Sequence, residues 1–175
     1  GPSHHVIYDM ALLSKVPGMR VLAPSSTQEV EQMLKDAITL ANEGPVVSRY
    51  PKGVARTVDA ADIGSGLAAR KLLTDESNTV CILAIGKMVG ASLDAAALLA
   101  TKGIQATVWD VRSCAPLDTK MIEDAAAHNV VITVEDGIRE GGIGMTIEDL
   151  VTHTSGTNRP VVEVLGIPKQ FIPQA

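Results

Sequence analysis

Two histidines and an aspartate stand close together at the start of the sequence. His4 and His5 are followed by Asp9, in a chain that has only four histidines. An imidazole titrates near neutral pH and can transfer protons in catalysis, and a nearby carboxylate can orient its ring. Adjacent residues of an extended segment point to opposite sides, so one histidine at most is expected to face a reacting atom. Asp9 either orients that histidine or caps a helix beginning at Met10, and residues 1–5 also fit the remnant of a purification tag.

A lone cation follows a predicted strand further along. Lys52 stands between Pro51 and Gly53 on a loop, where an ammonium group can meet a phosphate. A solvent-exposed linker lysine explains the pattern equally well. Another lysine, Lys87, lies in the segment GKMVG, which lacks both the hydroxyl residue after the lysine and the earlier glycine of a P-loop. That segment is therefore predicted to be a plain turn between a strand and a helix.

The glycine-rich segment GIREGGIG, residues 137–144, precedes a predicted helix. Free amides at a helix start can hold an anion, but the segment lacks the full GxGxxG pattern, and close packing of helix on sheet is the favoured interpretation. Glu135 and Asp136, just before it, are interpreted as a solvated acidic turn. His128 and His153 stand near predicted helix ends, where capping or solvent exposure is expected.

Length and composition limit the class of protein. A chain of 175 residues has room for one ordinary domain or two small ones. No apolar stretch is long enough to cross a bilayer, and a net charge of −5 without a basic run argues against a nucleic-acid or membrane partner. Cys81 and Cys114 are far apart and form no CxxC motif, so a zinc site or a disulfide framework has little support. These features predict a soluble cytoplasmic protein without a metal site of its own.

The first 58 residues predict an incomplete α/β unit. Residues 19–23 and 46–50 are typical of short strands, and the helix between them is predicted to begin with a capping box formed by Ser26 and Glu29. Both faces of a parallel sheet need cover, which one helix cannot provide. This unit is therefore expected to be the second half of a domain, and the chain a piece of a longer protein. Residues 52–66 lack apolar periodicity and are interpreted as a linker.

The remainder predicts a second α/β unit. Strands are expected near residues 80–85, 106–109, 130–134 and 161–164, and helices near residues 91–102, 118–127 and 144–154. Asp118 is predicted to cap the second of these helices. Because strands and helices alternate and two strands are almost continuously apolar, we expect a three-layer α/β/α arrangement with a mostly parallel sheet.

Six segments of the sequence together resemble one enzyme family. In order along the chain they are GPSHH, VPGMRVLAPSSTQEVEQML, GPVVSRYPKG, RSCAPLD, VITVEDGIREGGIGM and LGIPKQFIPQ. They resemble the 1-deoxy-D-xylulose-5-phosphate synthase family, thiamine-diphosphate enzymes of the transketolase superfamily, over essentially the whole chain. The resemblance implies that residues 1–58 are the latter part of a pyrimidine-binding domain and residues 59–175 most of a transketolase C-terminal domain. It also implies a homodimer.

The resemblance implies roles for individual residues. His4 matches the family's active-site histidine, and Lys52 and Asp9 are expected to bind substrate. Lys52 takes the place of an arginine that holds the phosphate of glyceraldehyde 3-phosphate, and it keeps the charge but loses the bidentate fork. Val6 stands where the family has glycine, which would shift the loop carrying His4 if that position needs a positive φ.

The implied reaction condenses pyruvate with glyceraldehyde 3-phosphate to 1-deoxy-D-xylulose 5-phosphate and CO₂, which feeds isoprenoid, thiamine and pyridoxal synthesis. It uses thiamine diphosphate and Mg²⁺, whose main binding groups lie outside the part of the family that this chain resembles. The chain alone is therefore expected to be inactive. The sequence leaves two alternatives open: a fragment of a transketolase or 2-oxoacid dehydrogenase β subunit, and a stand-alone α/β dimerisation module.

Overall fold

The computed structural model describes residues 5–172 of the chain. His4, the expected catalytic histidine, lies outside the described residues. The helices are α1 Asp9–Leu13, α2 Thr27–Leu40, α3 Met88–Ala100, α4 Thr119–Ala126 and α5 Ile143–Thr154. The strands are β1 Arg20–Leu22, β2 Val46–Ser48, β3 Arg70–Leu73, β4 Val80–Ala84, β5 Thr107–Asp110, β6 Ser113–Ala115, β7 Val130–Ile138 and β8 Val161–Ile167.

A small sheet contains strands from both halves of the sequence. Its order is β2-β1-β6, with β1 parallel to β2 and antiparallel to β6. Val21 in the central strand faces Val47 on one side and Ala115 on the other. The sequence did not predict β6, because three residues are too few to show an alternating pattern. The incomplete sheet of the first unit is thus extended by a strand of the second.

The larger sheet has the order β3-β5-β4-β7-β8. All neighbouring strands are parallel except β3, which is antiparallel to β5, so the prediction of a mostly parallel sheet is confirmed. Every residue of β4 is buried, which explains its continuously apolar sequence. The edge strand β3 was not predicted, because its four residues include two cations and alternate between half-buried and exposed positions.

Helices cover both faces of the larger sheet. On one face Ala96 of α3 packs with Ile82 and the neighbouring strands. On the other face Met121 of α4 and Ile147 of α5 pack with Leu83. The three-layer α/β/α arrangement is therefore confirmed. Among residues 5–172, no helix combines the length and the apolar character needed to cross a bilayer.

The two units share one core. Met10 of α1 and Val21 of β1 are buried in the same apolar cluster as Leu83 of β4 and Met121 of α4. The small sheet is therefore stabilised by burial against the second unit rather than by a core of its own.

Both predicted helix caps, at Ser26 and Asp118, are present, but the contact that Glu29 was expected to make is not. Ser26 accepts a hydrogen bond from the amide of Glu29 at 3.1 Å, and Asp118 accepts from the first amides of α4. The predicted return contact of the capping box is wrong. The Glu29 carboxylate instead accepts from the amide of Gly64 at 2.6 Å and from Nε of Arg112 at 2.8 Å. A buried guanidinium competes successfully for this carboxylate.

Candidate functional site

Two cavities flank the loop formed by residues 50–53. The first, which we call the cationic cavity, has a volume of about 620 Å³ and is lined by residues 24–27, 30, 50–56 and 87. The second, the mixed-charge cavity, has a volume of about 720 Å³ and is lined by residues 5–7, 9, 13, 47–52, 87, 136, 167 and 172. Lys52 and Lys87 line both cavities.

No acidic residue of the described part of the chain lines the cationic cavity. Its charged groups are Lys52, Arg56 and Lys87. The start of α2 also borders it, but the amide of Thr27 already donates to the carbonyl of Arg56 at 3.0 Å. The cavity therefore attracts an anion mainly through its three basic side chains.

The mixed-charge cavity holds a row of alternating charges that crosses from one unit to the other. Arg49 lies between Asp9, with Nε 3.5 Å from Oδ2, and Asp136, with Nη1 2.5 Å from Oδ1. Lys87 Nζ lies 3.5 Å from the second oxygen of Asp136. Within residues 5–172, Lys52 takes part in no ion pair. Its charge is thus the one in this cavity that remains to be balanced.

The structure brings two of the expected site residues to one cavity. Asp9 is the first residue of α1 and makes no capping bond; Tyr8 occupies the cap position, and the Asp9 carboxylate faces Arg49. Its Oδ1 atom is buried and has no hydrogen-bond partner among residues 5–172. Lys52 lies in the wall of the same cavity, and so does His5. The expected role of His4 falls on a residue outside those that the structure describes.

Val6 has an unusual backbone conformation. Its φ is +51°, in the left-handed region that disfavours β-branched side chains. The family that the sequence resembles has glycine here, and the replacement was expected to matter if the position needs a positive φ. The structure shows that it does. Valine adopts it with its side chain 58% exposed, so the cost is backbone strain rather than a steric clash in the core.

The junction between the units contains a buried arginine that was not singled out from the sequence. Arg112 is fully buried, and its Nε donates to Glu29 at 2.8 Å. Its Nη1 donates to the carbonyls of Ser65, Gly66 and Ala68 at 3.2, 3.2 and 2.6 Å. The segment predicted to be a simple linker therefore wraps a guanidinium. Carbonyl acceptors belong to every residue type, so no sequence pattern reveals such a site.

A second buried acid, Asp110, lies beside the ion pair of Arg112 and Glu29. Asp110 accepts from the Ser25 hydroxyl at 2.5 Å and from the amide of Arg112 at 3.2 Å. Burial raises the pKa of Asp110 to about 7, against the lowering effect of the Ser25 hydrogen bond. The C-terminal end of β5 thus presents a carboxyl that changes protonation near neutral pH.

The interpretation of residues 135 and 136 as a solvated acidic turn is wrong. Glu135 and Asp136 are both buried. Glu135 Oε1 accepts from the amide of Gly144 at 2.8 Å, and burial raises the pKa of Glu135 to about 7. The start of α5 therefore holds an internal carboxyl group. A Cβ on Gly142 would lie 2.6 Å from the same oxygen, in agreement with close packing as the reason for the glycines.

The two later histidines differ in their surroundings. His128 is buried, which contradicts solvent exposure. Its Nδ1 donates to the carbonyl of Asp124 at 2.8 Å, and its Nε2 lies 3.0 Å from the Thr107 hydroxyl. A carbonyl only accepts, so Nδ1 is the donor in the first of these contacts. His153 is exposed, and its Nδ1 lies 2.7 Å from the carbonyl of Asp149.

Cys81, Asp124 and His128 bring three potential metal ligands within 4.8 Å of one another. The Asp124 oxygens already accept from Lys71 at 2.7 Å and from the indole of Trp109 at 2.8 Å. Burial raises the pKa of the Cys81 thiol, so it stays protonated. The Asp124 carboxylate is thus already occupied by two donors, and the Cys81 thiol is not in the thiolate form that binds a metal ion.

Comparisons with known proteins find similarity to one family along nearly the whole chain. Residues 1–57 match the model for "Transketolase, pyrimidine binding domain", and residues 70–174 match "Transketolase, C-terminal domain". The chain is 38% identical over 184 residues to a 1-deoxy-D-xylulose-5-phosphate synthase of Leifsonia xyli subsp. xyli, covering 100% of this chain and 26% of that protein. It is 37% identical over 181 residues to 1-deoxy-D-xylulose-5-phosphate synthase 1 of Geobacter sulfurreducens, covering 99% of this chain and 27% of that protein. The chain thus spans about a quarter of the length of the curated relatives it matches.

Solved structures share the fold. A chain described as a split gene transketolase in an inactive beta4 tetramer superposes with a TM-score of 0.85 at 29% identity, over 98% of this chain and 55% of that one. A transketolase from Pichia stipitis superposes with a TM-score of 0.62 at 20% identity, over 78% of this chain and 21% of that one. The latter similarity concerns the fold alone.

Proposed function

Since the chain belongs to the transketolase family, we propose that it forms part of a thiamine-diphosphate-dependent 1-deoxy-D-xylulose-5-phosphate synthase. In this proposal residues 1–58 belong to the pyrimidine-binding domain and residues 59–175 to the C-terminal domain. The identity to named synthases over essentially the whole chain supports it. The complete enzyme joins pyruvate to glyceraldehyde 3-phosphate with loss of CO₂, and it acts as a homodimer.

Lys52 holds the phosphate of glyceraldehyde 3-phosphate in this proposal. The observation that carries it is the acid-free lining of the cationic cavity, where Lys52 stands without an ion pair among residues 5–172. Asp9 orients Arg49 at the adjoining cavity and so fixes the wall from which Lys52 projects. His4 would move protons at the reacting carbonyl, as its position in the family's motif suggests.

The residues described here do not fit Mg²⁺ and a diphosphate. Mg²⁺ prefers six oxygen ligands in octahedral geometry. Among residues 5–172, the group of three potential ligands contains a buried thiol and an imidazole, Cys81 and His128, with Asp124. We propose that further polypeptide supplies the site for thiamine diphosphate, in line with the quarter of the relatives' length that the chain spans. The chain alone then shows no turnover.

A chimera tests the reaction. This chain replaces the matching quarter of the Leifsonia xyli relative, and product formation is followed with pyruvate and glyceraldehyde 3-phosphate. We expect 1-deoxy-D-xylulose 5-phosphate and CO₂. Lys52→Met in the chimera should raise KM for glyceraldehyde 3-phosphate by about tenfold, with little effect on KM for pyruvate, because one charge-assisted hydrogen bond to phosphate is lost. Lys102→Met, which removes an exposed lysine beyond α3, is the matched control.

The outcomes separate the proposal from its rivals. A folded chimera that binds thiamine diphosphate but uses only ketose phosphates as donors would identify a transketolase instead. No turnover with either donor by such a chimera would refute the enzymatic proposal. Calorimetric titration of the chain alone should detect no binding of thiamine diphosphate with Mg²⁺; tight binding there would mean that the cofactor site has been misplaced.

A second candidate is a β-type subunit that works with another subunit. The similarity to the split gene transketolase chain, with a TM-score of 0.85 over 98% of this chain, favours it. In that case the chain would form a stable complex with an α-type transketolase subunit at micromolar concentration in size-exclusion chromatography. A chain that elutes unchanged in the presence of such a subunit speaks against this candidate.

A further inference from the structure

Lys87 lines both cavities from the second unit, whereas Lys52 lines them from the loop at residues 50–53. It lies in the turn between β4 and α3, directly after Gly86. Gly86 has a φ of +57°, and a Cβ at this position would lie 3.6 Å from the side chain of Ala23 and from the carbonyl of Pro24. The turn therefore packs against the end of β1. This contact sets Lys87 in the wall of both cavities.

The ion pair of Lys87 is weak. Its Nζ lies 3.5 Å from Asp136, and the side chain remains 53% exposed. Arg49 binds the same carboxylate at 2.5 Å and is itself 13% exposed. Arg49 also faces Asp9, so Lys87 completes the charge balance of the two carboxylates, but Arg49 makes the much closer contact to Asp136. Because the contact is long and its ammonium end is half-exposed, this pair contributes less to stability than a close, buried one.

We propose that Lys87 is a second phosphate-binding residue, which acts together with Lys52, from a separate element of the same cavities, on the dianion of a phosphomonoester. This inference rests on the proposed function and names a further residue of its substrate site. A single lysine offers a point charge without the planar fork of arginine. Two ammonium groups on separate elements match the two negative charges of a phosphomonoester and restore part of the directionality that one lysine lacks.

The alternative role for Lys87 is structural, as a partner that keeps Asp136 in place. The two roles predict different results. A structural Lys87 would affect the melting temperature and leave phosphate affinity unchanged. A binding Lys87 would affect phosphate affinity and change the melting temperature only slightly, since its ion pair is long and its ammonium end is half-exposed.

Titration of the 175-residue chain with glycerol 3-phosphate tests this inference, with glycerol as the uncharged control. Binding is followed by NMR or calorimetry at low ionic strength. Lys87→Met should raise Kd by about tenfold, as expected for one charge-assisted hydrogen bond, and Lys52→Met should do the same. Lys87→Arg should keep most of the affinity. Lys102→Met should change Kd by less than about twofold, because a distant exposed charge is screened.

Each result has one meaning. If Lys52→Met weakens binding and Lys87→Met does not, the inference on Lys87 is wrong and the proposed role of Lys52 stands. If Lys102→Met weakens binding as much as Lys87→Met, only net charge matters and the inference is wrong as well. If the unaltered chain binds glycerol 3-phosphate no better than glycerol, both the inference and the phosphate role of Lys52 fail.

Discussion

Replacing Glu29 with glutamine removes the charge that faces a fully buried guanidinium. In the folded chain one Glu29 oxygen accepts from Arg112 Nε at 2.8 Å and the other from the amide of Gly64 at 2.6 Å. Both oxygens therefore face donors. Glutamine has nearly the same shape, but its amide group is itself a donor and would point at one of these two groups.

The expected loss follows from the burial of both partners. Glu29 is 2% exposed and Arg112 is 0% exposed, so water cannot replace the lost charge. Breaking a buried pair by removing one partner costs about 3–5 kcal/mol. For a domain of this size each kcal/mol corresponds to roughly 2–4 °C in Tm, so Glu29→Gln should lower Tm by roughly 6–20 °C.

Thermal and urea unfolding of the unaltered chain and the variant measure this loss. The matched control is Glu31→Gln on the same helix, whose pair with Lys35 at 2.7 Å is exposed on both sides. It should leave Tm almost unchanged. The double variant Glu29→Gln, Arg112→Met should lose less stability than the two single variants added together, because no buried charge is left unpaired. A Glu29→Gln variant that melts with the Glu31→Gln control would refute the reasoning.

Three further predictions concern stability. Burial raises the pKa of Glu135 and Asp110 to about 7, so the folded state holds protons that the unfolded chain loses near pH 4. The free energy of unfolding should therefore fall as pH rises from about 5 to 8. Glu135→Gln should flatten this pH dependence, measured by urea unfolding at several pH values. A steeper slope in the variant would contradict this. Val6→Gly should stabilise the chain by about 1 kcal/mol, since φ at this position is +51°; a lower Tm in the variant would argue against strain. Gly142→Ala should destabilise the chain by roughly 1–3 kcal/mol, because the new Cβ meets the Ile138 carbonyl and the Glu135 carboxyl. The control Gly90→Ala in α3, where the new Cβ has Arg56 at 3.8 Å, should be neutral or stabilising. Equal Tm values for the two variants would count against the close contact.

Much of the fold could be predicted because it depends on local patterns. The buried strand β4 and its parallel neighbours are long apolar runs, and the caps by Ser26 and Asp118 are short-range hydrogen bonds. The edge strand β3 and the three-residue β6 could not be predicted in this way. Their positions depend on pairing with strands far away in sequence, which local periodicity does not record.

Part of the candidate site could likewise be predicted from the sequence, and part could not. The resemblance to the synthase family drew attention to Lys52 and Asp9, and the fold brings both to one cavity. The buried state of Glu135 could not be predicted, because a carboxylate before a glycine-rich segment is usually solvated. Arg112 was missed because its partners are main-chain carbonyls of a segment without a pattern.

The strand β6 has a consequence for how a ligand meets the cavities. Because β6 hydrogen-bonds to β1 and Arg112 ties α2 to the chain that follows β5, the two walls that carry Lys52 and Lys87 cannot swing apart as on a hinge. The separation of the two backbone segments that carry these lysines is therefore set when the chain folds. On the proposed role of the two lysines, association of a phosphate should therefore follow one-step kinetics without a slow closing phase.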